Sequence, residues 1–171
     1  MKKNVLVYGI SIALVVTAAA AGDQYKVVGE KGDFYFGHIS YVETAEGAPG
    51  PLVYRLDARA PEAAVPNLPL GPGDTIQTPD SGRCEVQFDN GTIVRLDHGT
   101  KLKIETILAQ TLSTAEKVSN LLLAQGQVYV MYRKHSSLEI FQVMTPAASV
   151  KFRDSAVALV GMEIGRTTVE V

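Results

Sequence analysis

The side chains able to do chemistry are scattered along this chain. His38, His98 and His135 fall in or beside different predicted strands and turns, and none stands in an H-E-x-x-H, H-x-H or Cys–His spacing that would gather a metal. Asp74, Asp80, Asp89, Asp97 and Asp154 could supply paired carboxylates, yet several sit beside Gly, Asn or Ser, where turns use Asp for side-chain-to-backbone hydrogen bonds. Asp89-Asn90-Gly91 lacks the alternating carboxylates of a calcium loop. Ser81 and Ser155 lack G-x-S-x-G surroundings, which removes the usual setting of a serine nucleophile. No catalytic, cofactor-binding or metal-binding set is expected, and the chain does not read as an enzyme.

Recognition chemistry has more to work with. Tyr129, Met131 and Tyr132 precede Arg133, Lys134 and His135, and aromatic residues beside Arg are enriched at interface centres. Tyr129 and Met131 share one face at period two, so one tyrosine is expected in the core and the other at a rim. The outward residues Glu85, Gln87, Ile93 and Arg95 of a predicted hairpin, with Tyr132 and Arg133, form the candidate interaction surface.

That hairpin lies within Gly73–Leu96 and is the most legible element. Cys84, Val86 and Phe88 alternate with Arg83, Glu85 and Gln87, and the alternation resumes in Thr92, Val94 and Leu96. A two-residue Asn90-Gly91 loop would set Val86 opposite Arg95, placing a charge on the face to be buried. A three-residue Asp89-Asn90-Gly91 loop with Gly91 left-handed instead sets Phe88 opposite Thr92, Val86 opposite Val94 and Cys84 opposite Leu96. The second register is preferred. It buries Cys84, the single cysteine, as an inert thiol.

Around the hairpin the chain reads as a series of strands. They are predicted at Phe36–Val42, Leu52–Leu56, Thr75–Thr78, Leu102–Ile107, Gln127–Tyr132, Leu138–Val143, Ser149–Phe152, Ala156–Ile164 and Thr167–Val171. Leu102, Ile104 and Thr106 share one face, with Lys103, Glu105 and Ile107 on the other. Residues 138–143 are apolar on both faces, as in a strand inside a two-layer structure. Residues 58–72 carry Pro61, Pro66, Pro69 and Pro72 and read as a surface connection. Ser113-Thr114-Ala115-Glu116 fits a capping box, which allows at most one short helix near residues 113–120. Strands about ten residues apart with turns between them indicate an all-β fold: an antiparallel sandwich or a jelly-roll-like or solenoid-like stack of short strands.

The 171 residues are 46% hydrophobic and 20% charged, with a formal net charge of −2. That balance lacks the basic field a nucleic-acid binder uses to neutralise phosphates, so no nucleic-acid partner is expected. Lys2 and Lys3, the apolar run Val5–Val16 and the small residues Ala18–Ala21 have the order of a secretory signal, which sets residues 1–21 apart as a signal peptide. A signal anchor retained in the inner membrane is the alternative, although Gly9, Ser11 and Thr17 weaken a 17-residue span. No Cys follows the run for lipid attachment. The expected location is therefore periplasmic or secreted, with membrane contact only through an uncleaved N-terminal segment. Residues 22–69 hold N-terminal strands and the Pro-rich connection, and residues 70–171 a β domain continuous with 34–69.

Gly73-Asp74 with Thr78, the Asp-Asn-Gly hairpin with Val94-Arg95-Leu96, Thr100-Lys101-Leu102-Lys103-Ile104, a Leu-rich strand with Gly126-Gln127-Val128, and Val143-Met144-Thr145-Pro146 follow in an order that resembles the FecR domain. The family's usual Arg-Gly-Thr triplet is replaced by Arg153-Asp154-Ser155, as in a divergent member. The resemblance implies a β-rich periplasmic domain that recognises other proteins. Named members relay the occupancy of an outer-membrane TonB-dependent transporter to a cytoplasmic sigma factor. Only Met1 to Asn4 precede the apolar run, so direct sigma-factor control is not expected. The resemblance implies a non-catalytic exported module for protein interaction or sensing, with an envelope protein as partner. The alternative is a glycan- or peptidoglycan-associated sandwich, and a jelly-roll enzyme ranks third. The final predicted strand stops mid-pattern, as a fragment would or as an open edge that pairs with another chain.

Overall fold

A computed structural model describes residues 15–17, 25–26, 37–111 and 114–171, with side chains for 37–109 and 114–171. The short β1 (Val15–Thr17) and β2 (Tyr25–Lys26) precede β3 (Gly37–Thr44), β4 (Leu52–Tyr54), β5 (Glu62–Ala63), β6 (Pro69–Leu70) and β7 (Thr75–Gln77). The hairpin follows as β8 (Gly82–Phe88) and β9 (Ile93–Leu96). Two long strands come next, β10 (Lys101–Thr111) and β11 (Lys117–Tyr132), then β12 (Glu139–Met144), β13 (Ser149–Phe152), β14 (Ala156–Glu163) and β15 (Arg166–Glu170). The protein is all-β, with no helix among the described residues.

The strands form two sheets joined by β11. Sheet I has the order β5-β4-β7-β10-β11-β12-β13-β1, with β2 on β10, and sheet II the order β6-β3-β8-β9-β11-β14-β15. Up to Gln125, β11 pairs with β10 and β12; from Gly126 it pairs with β14, and from Val128 with β9 as well. All pairs are antiparallel except β11 with β12. A strand that leaves one sheet for the other must turn a corner, and bends or bulges make such corners. Gly126 makes this one, with φ +85° and no room for a side chain: an added Cβ would lie 2.5 Å from Thr100 Oγ1 and 2.6 Å from Thr100 Cα. Thr100 pins the bend, its hydroxyl accepting from Gln127 N at 3.0 Å and donating to Gln127 O at 3.1 Å.

The core lies between the sheets. The inward set Cys84, Val86 and Phe88 is buried as expected, and β8 pairs with β9 through Cys84–Leu96 and Val86–Val94. Phe88 N donates to Thr92 O, and Gly91 is left-handed at φ +72°, so the hairpin uses the three-residue loop. Because β11 bends, its far end returns toward its beginning. Tyr132 stacks on Phe141 of β12 with ring centroids 5.5 Å apart, and Phe88 and Phe152 pack edge-on to Phe141 at 6.0 and 5.9 Å. Four aromatic rings at one end of the sandwich contribute dense contact and favourable ring geometry. Both faces of β12 are buried, which matches its apolar pattern.

Three stretches differ in detail from the simple strand pattern. The allowance of at most one short helix near 113–120 is filled by none among the described residues: Thr114 lies in a turn, and β11 begins at Lys117. Its Leu-rich run joins the predicted strand 127–132 as one 16-residue strand. In β10, Ile107 is buried rather than outward, because register shifts around Thr106 reverse the alternation. The Pro-rich connection contributes β5 and β6, and Pro69 is tolerated because β6 is an edge strand.

Candidate functional site

The outward face of sheet II carries a groove of about 620 Å³. One cross-strand row crosses it: Tyr41 opposes Glu85, Glu85 opposes Arg95, Arg95 opposes Tyr129, and Tyr129 opposes Leu159. Five strands about 4.8 Å apart give this row a length of about 19 Å. A neighbouring row holds Glu43 opposite Arg83, and Asp97, the ion-pair partner of Arg83, also lines the groove.

Local backbone geometry puts Tyr41 in this row. Gly37 and Ile39 of β3 face inward, and strict alternation would send Tyr41 inward as well. A register shift between Ile39 and Tyr41 leaves Ser40 as an extra residue and turns Tyr41 outward. Ser40 is not idle, since its hydroxyl donates to Glu85 Oε1 at 2.7 Å.

Two ion pairs organise the polar groups. Arg95 Nε donates to Glu85 Oε2 at 2.6 Å, and Arg83 Nε to Asp97 Oδ1 at 2.7 Å. Burial pushes the Glu85 carboxyl up, but the Arg95 guanidinium and the Ser40 hydroxyl outweigh it and hold Glu85 below its ordinary value. Burial likewise raises Asp97, and the His98 amide together with Arg83 brings it below the ordinary value. Both carboxylates are thus fixed as anions at neutral pH. In these ion pairs each arginine donates through Nε, which leaves its terminal guanidinium nitrogens with donor capacity to spare. Leu159 and the tyrosine rings give the groove its apolar surface.

Of the expected interaction residues, Glu85 and Arg95 line the groove. Gln87 and Ile93 sit one row along, opposite each other, with Met131 and Val157 continuing that row. Arg133 is exposed at the Asp-Asn-Gly turn, away from the groove, and its amide donates to Thr92 Oγ1 at 3.2 Å. Tyr132 leaves the set. It is 3% exposed, stacks on Phe141, and is the core member of the tyrosine pair, while Tyr129 lines the groove. Sequence reasoning did not find Tyr41, Glu43, Arg83, Asp97 and Leu159 as one site. Arg83 and Glu43 follow from outward parity, whereas Tyr41 depends on the bulge.

The remaining chemical candidates are structural or apart. Asp74 accepts from Arg55 Nη1 at 2.6 Å and from Gly71 N at 2.9 Å, which ties β4 to the start of β7. Thr78 donates to Asp97 O at 2.5 Å and accepts from Thr100 N at 2.9 Å. His98 Nε2 is 3.8 Å from Asp97 Oδ1, and His135 Nε2 lies 2.5 Å from Asn90 O at the hairpin turn. Among the described residues no three His, Cys, Asp or Glu side chains gather as metal ligands. Cys84 is buried, and burial pushes its thiol up to about 12.

These positions explain an ordered motif series. Asp74 ties the start of β7 to the end of β4, and Thr78, Thr100 and Gln127 are hydrogen-bonded around the corner at Gly126. The FecR protein family matches residues 74–171, more than half of the chain, and the chain belongs to that family. The family is, in general terms, one of signalling or sensing modules, regulatory rather than enzymatic. Comparison with curated proteins and with solved structures gave no match. Of the expected leader only Val15–Thr17 fall within the described residues, paired with β13; among the described residues no helix is long and apolar enough to cross a membrane.

Proposed function

We propose that this chain is a non-catalytic FecR-like domain, exported to the periplasm or beyond, that recognises an envelope protein through the outward face of sheet II. The observation that carries this reading is the row Tyr41–Glu85–Arg95–Tyr129–Leu159 with its groove of about 620 Å³. Aromatic rings give large contact area with few rotors to freeze, and arginines anchored at Nε are held ready to donate to a partner's carbonyls or carboxylates. A row about 19 Å long accommodates about six residues of extended chain.

A second reading, a glycan- or peptidoglycan-associated module, is favoured by one feature: Tyr41 and Tyr129 flank carboxylates that could accept from sugar hydroxyls. Affinity capture from envelope extracts with the parent chain, Arg95→Ala and Tyr129→Ala separates the two. A protein held by the parent, released by both variants and indifferent to glycan digestion supports protein recognition. Equal capture by all three chains overturns the choice of surface, and loss on glycan digestion favours the second reading.

A further inference from the structure

We infer that β15 is a self-complementary edge through which two copies of this chain pair, extending sheet II across a twofold axis at Thr168. In sheet II, β15 pairs with β14 alone, from Leu159–Glu170 to Glu163–Arg166. Its other side has no strand among the described residues. The strand Arg166-Thr167-Thr168-Val169-Glu170 has no Pro or Gly, no inward-pointing charge and a register unbroken by a bulge, so its backbone is free of the breaks that prevent edge pairing.

The order of its charges selects the occupant. Arg166, Thr168 and Glu170 are exposed, whereas Thr167 and Val169 face inward, with Thr167 Oγ1 2.6 Å from Thr145 Oγ1 and Val169 packed on the core. Antiparallel pairing of two identical strands about Thr168 sets Arg166 of each copy opposite Glu170 of the other, on the same face. Two opposite-charge pairs form together, as a twofold interface requires. Neither Arg166 nor Glu170 has an ion-pair partner within its own chain among the described residues. A parallel pairing would instead set like charges side by side.

Backbone polarity agrees with this register. The Ile164-Gly165 turn, with Gly165 at φ +74°, closes Glu163 against Arg166 as a hydrogen-bonded pair. By alternation Arg166, Thr168 and Glu170 bond to β14, and Thr167 and Val169 direct their N–H and C=O groups to the open side. In the pairing, Thr167 meets Val169 of the other copy as a hydrogen-bonded pair, and Thr168 meets its own equivalent at the closer, non-hydrogen-bonded spacing of about 4.5 Å. Exposed Val171 falls beside Gly165 and the fully exposed Ile164 of the other copy, which gives those apolar groups cover. The grooves of both copies then lie on the same face of one continuous sheet.

The test is sedimentation of the full chain over a range of concentrations, with charge reversals. Arg166→Glu and Glu170→Arg each convert both pairs to like charges and weaken dimerisation about tenfold or more, while the double reversal restores it. Oxidation of a Thr168→Cys chain gives a disulfide-linked dimer, since the two Cα atoms fall within bridging distance, and Thr167→Cys, which faces inward, does not. A monomer at all concentrations, association indifferent to the single reversals, or a double reversal that fails to restore it overturns the inference. The Cys pair keeps the test open should a reversal disturb folding.

Discussion

Replacing Gly126 with Ala removes the freedom on which the joint between the sheets depends. Three terms add. A left-handed φ of +85° costs a non-glycine residue about 1–2 kcal/mol. The added Cβ meets Thr100 Oγ1 at 2.5 Å, Thr100 Cα at 2.6 Å and Gly99 O at 2.9 Å, two of them on backbone, and overpacking of this kind costs about 1–3 kcal/mol. Displacing Thr100 loosens its two hydrogen bonds to Gln127, worth about 1 kcal/mol each. The sum is about 4–7 kcal/mol, a large share of an ordinary domain's stability of about 5–15 kcal/mol. At about 2–4 °C per kcal/mol the melting temperature falls by about 8–28 °C. Gly47 is the control: its φ is +73°, but nothing lies within 4 Å of an added Cβ, so Gly47→Ala carries only the conformational part. Urea and thermal denaturation of both variants read the difference. If Gly126→Ala is no less stable than Gly47→Ala, the corner does not work as described.

Further outcomes follow from the core and the charged face. Phe141→Ala removes the ring that contacts Phe88, Tyr132 and Phe152 and lowers stability by about 3–5 kcal/mol in urea denaturation. Glu85 and Asp97 titrate below their ordinary values of 4.5 and 3.8, so the folded chain binds fewer protons than the unfolded one there. Their contribution is full above about pH 5 and is lost as pH falls through the folded values; in Arg95→Ala the stability–pH curve is flatter over that range, and parallel curves would contradict the Glu85 part. Cys84, buried with its thiol pushed up to about 12, stays unlabelled by a thiol reagent in the native chain at pH 8 and reacts on unfolding.

The hairpin, its register, the burial of Cys84 and the all-β class were legible because alternation and turn chemistry are local signals. Alternation fails where a strand gains a residue. The bulge at Ser40 places Tyr41 on the outer face, and the shifts around Thr106 bury Ile107; neither leaves a mark that period-two reading detects. The span 117–125 showed the same limit in another form. Leu121 and Leu123 are buried, Leu122 is half-buried and Ala124 is exposed, but all four are apolar, so the alternation in burial is not written in the residue types, and such a run does not distinguish helix from strand. The groove could be only half anticipated. Glu85 and Arg95 followed from hairpin parity, but Tyr129 and Leu159 join them through pairings 34 and 30 residues apart, set by the bend at Gly126. Tyr132 shows a related effect: beside Arg133 in sequence it has the pattern of a surface patch, while the returning end of β11 stacks it on Phe141.

The central claim is that the outward face of sheet II meets a protein partner, and site-specific photo-crosslinking in intact envelopes tests it most directly. A photoreactive residue at Tyr129, in the groove, is compared with one at Leu138, exposed on the 133–138 connection beyond it. The account predicts a discrete protein adduct from position 129 that persists after glycan digestion and is absent from position 138. Adducts of equal yield at both positions, or none at 129, would contradict it.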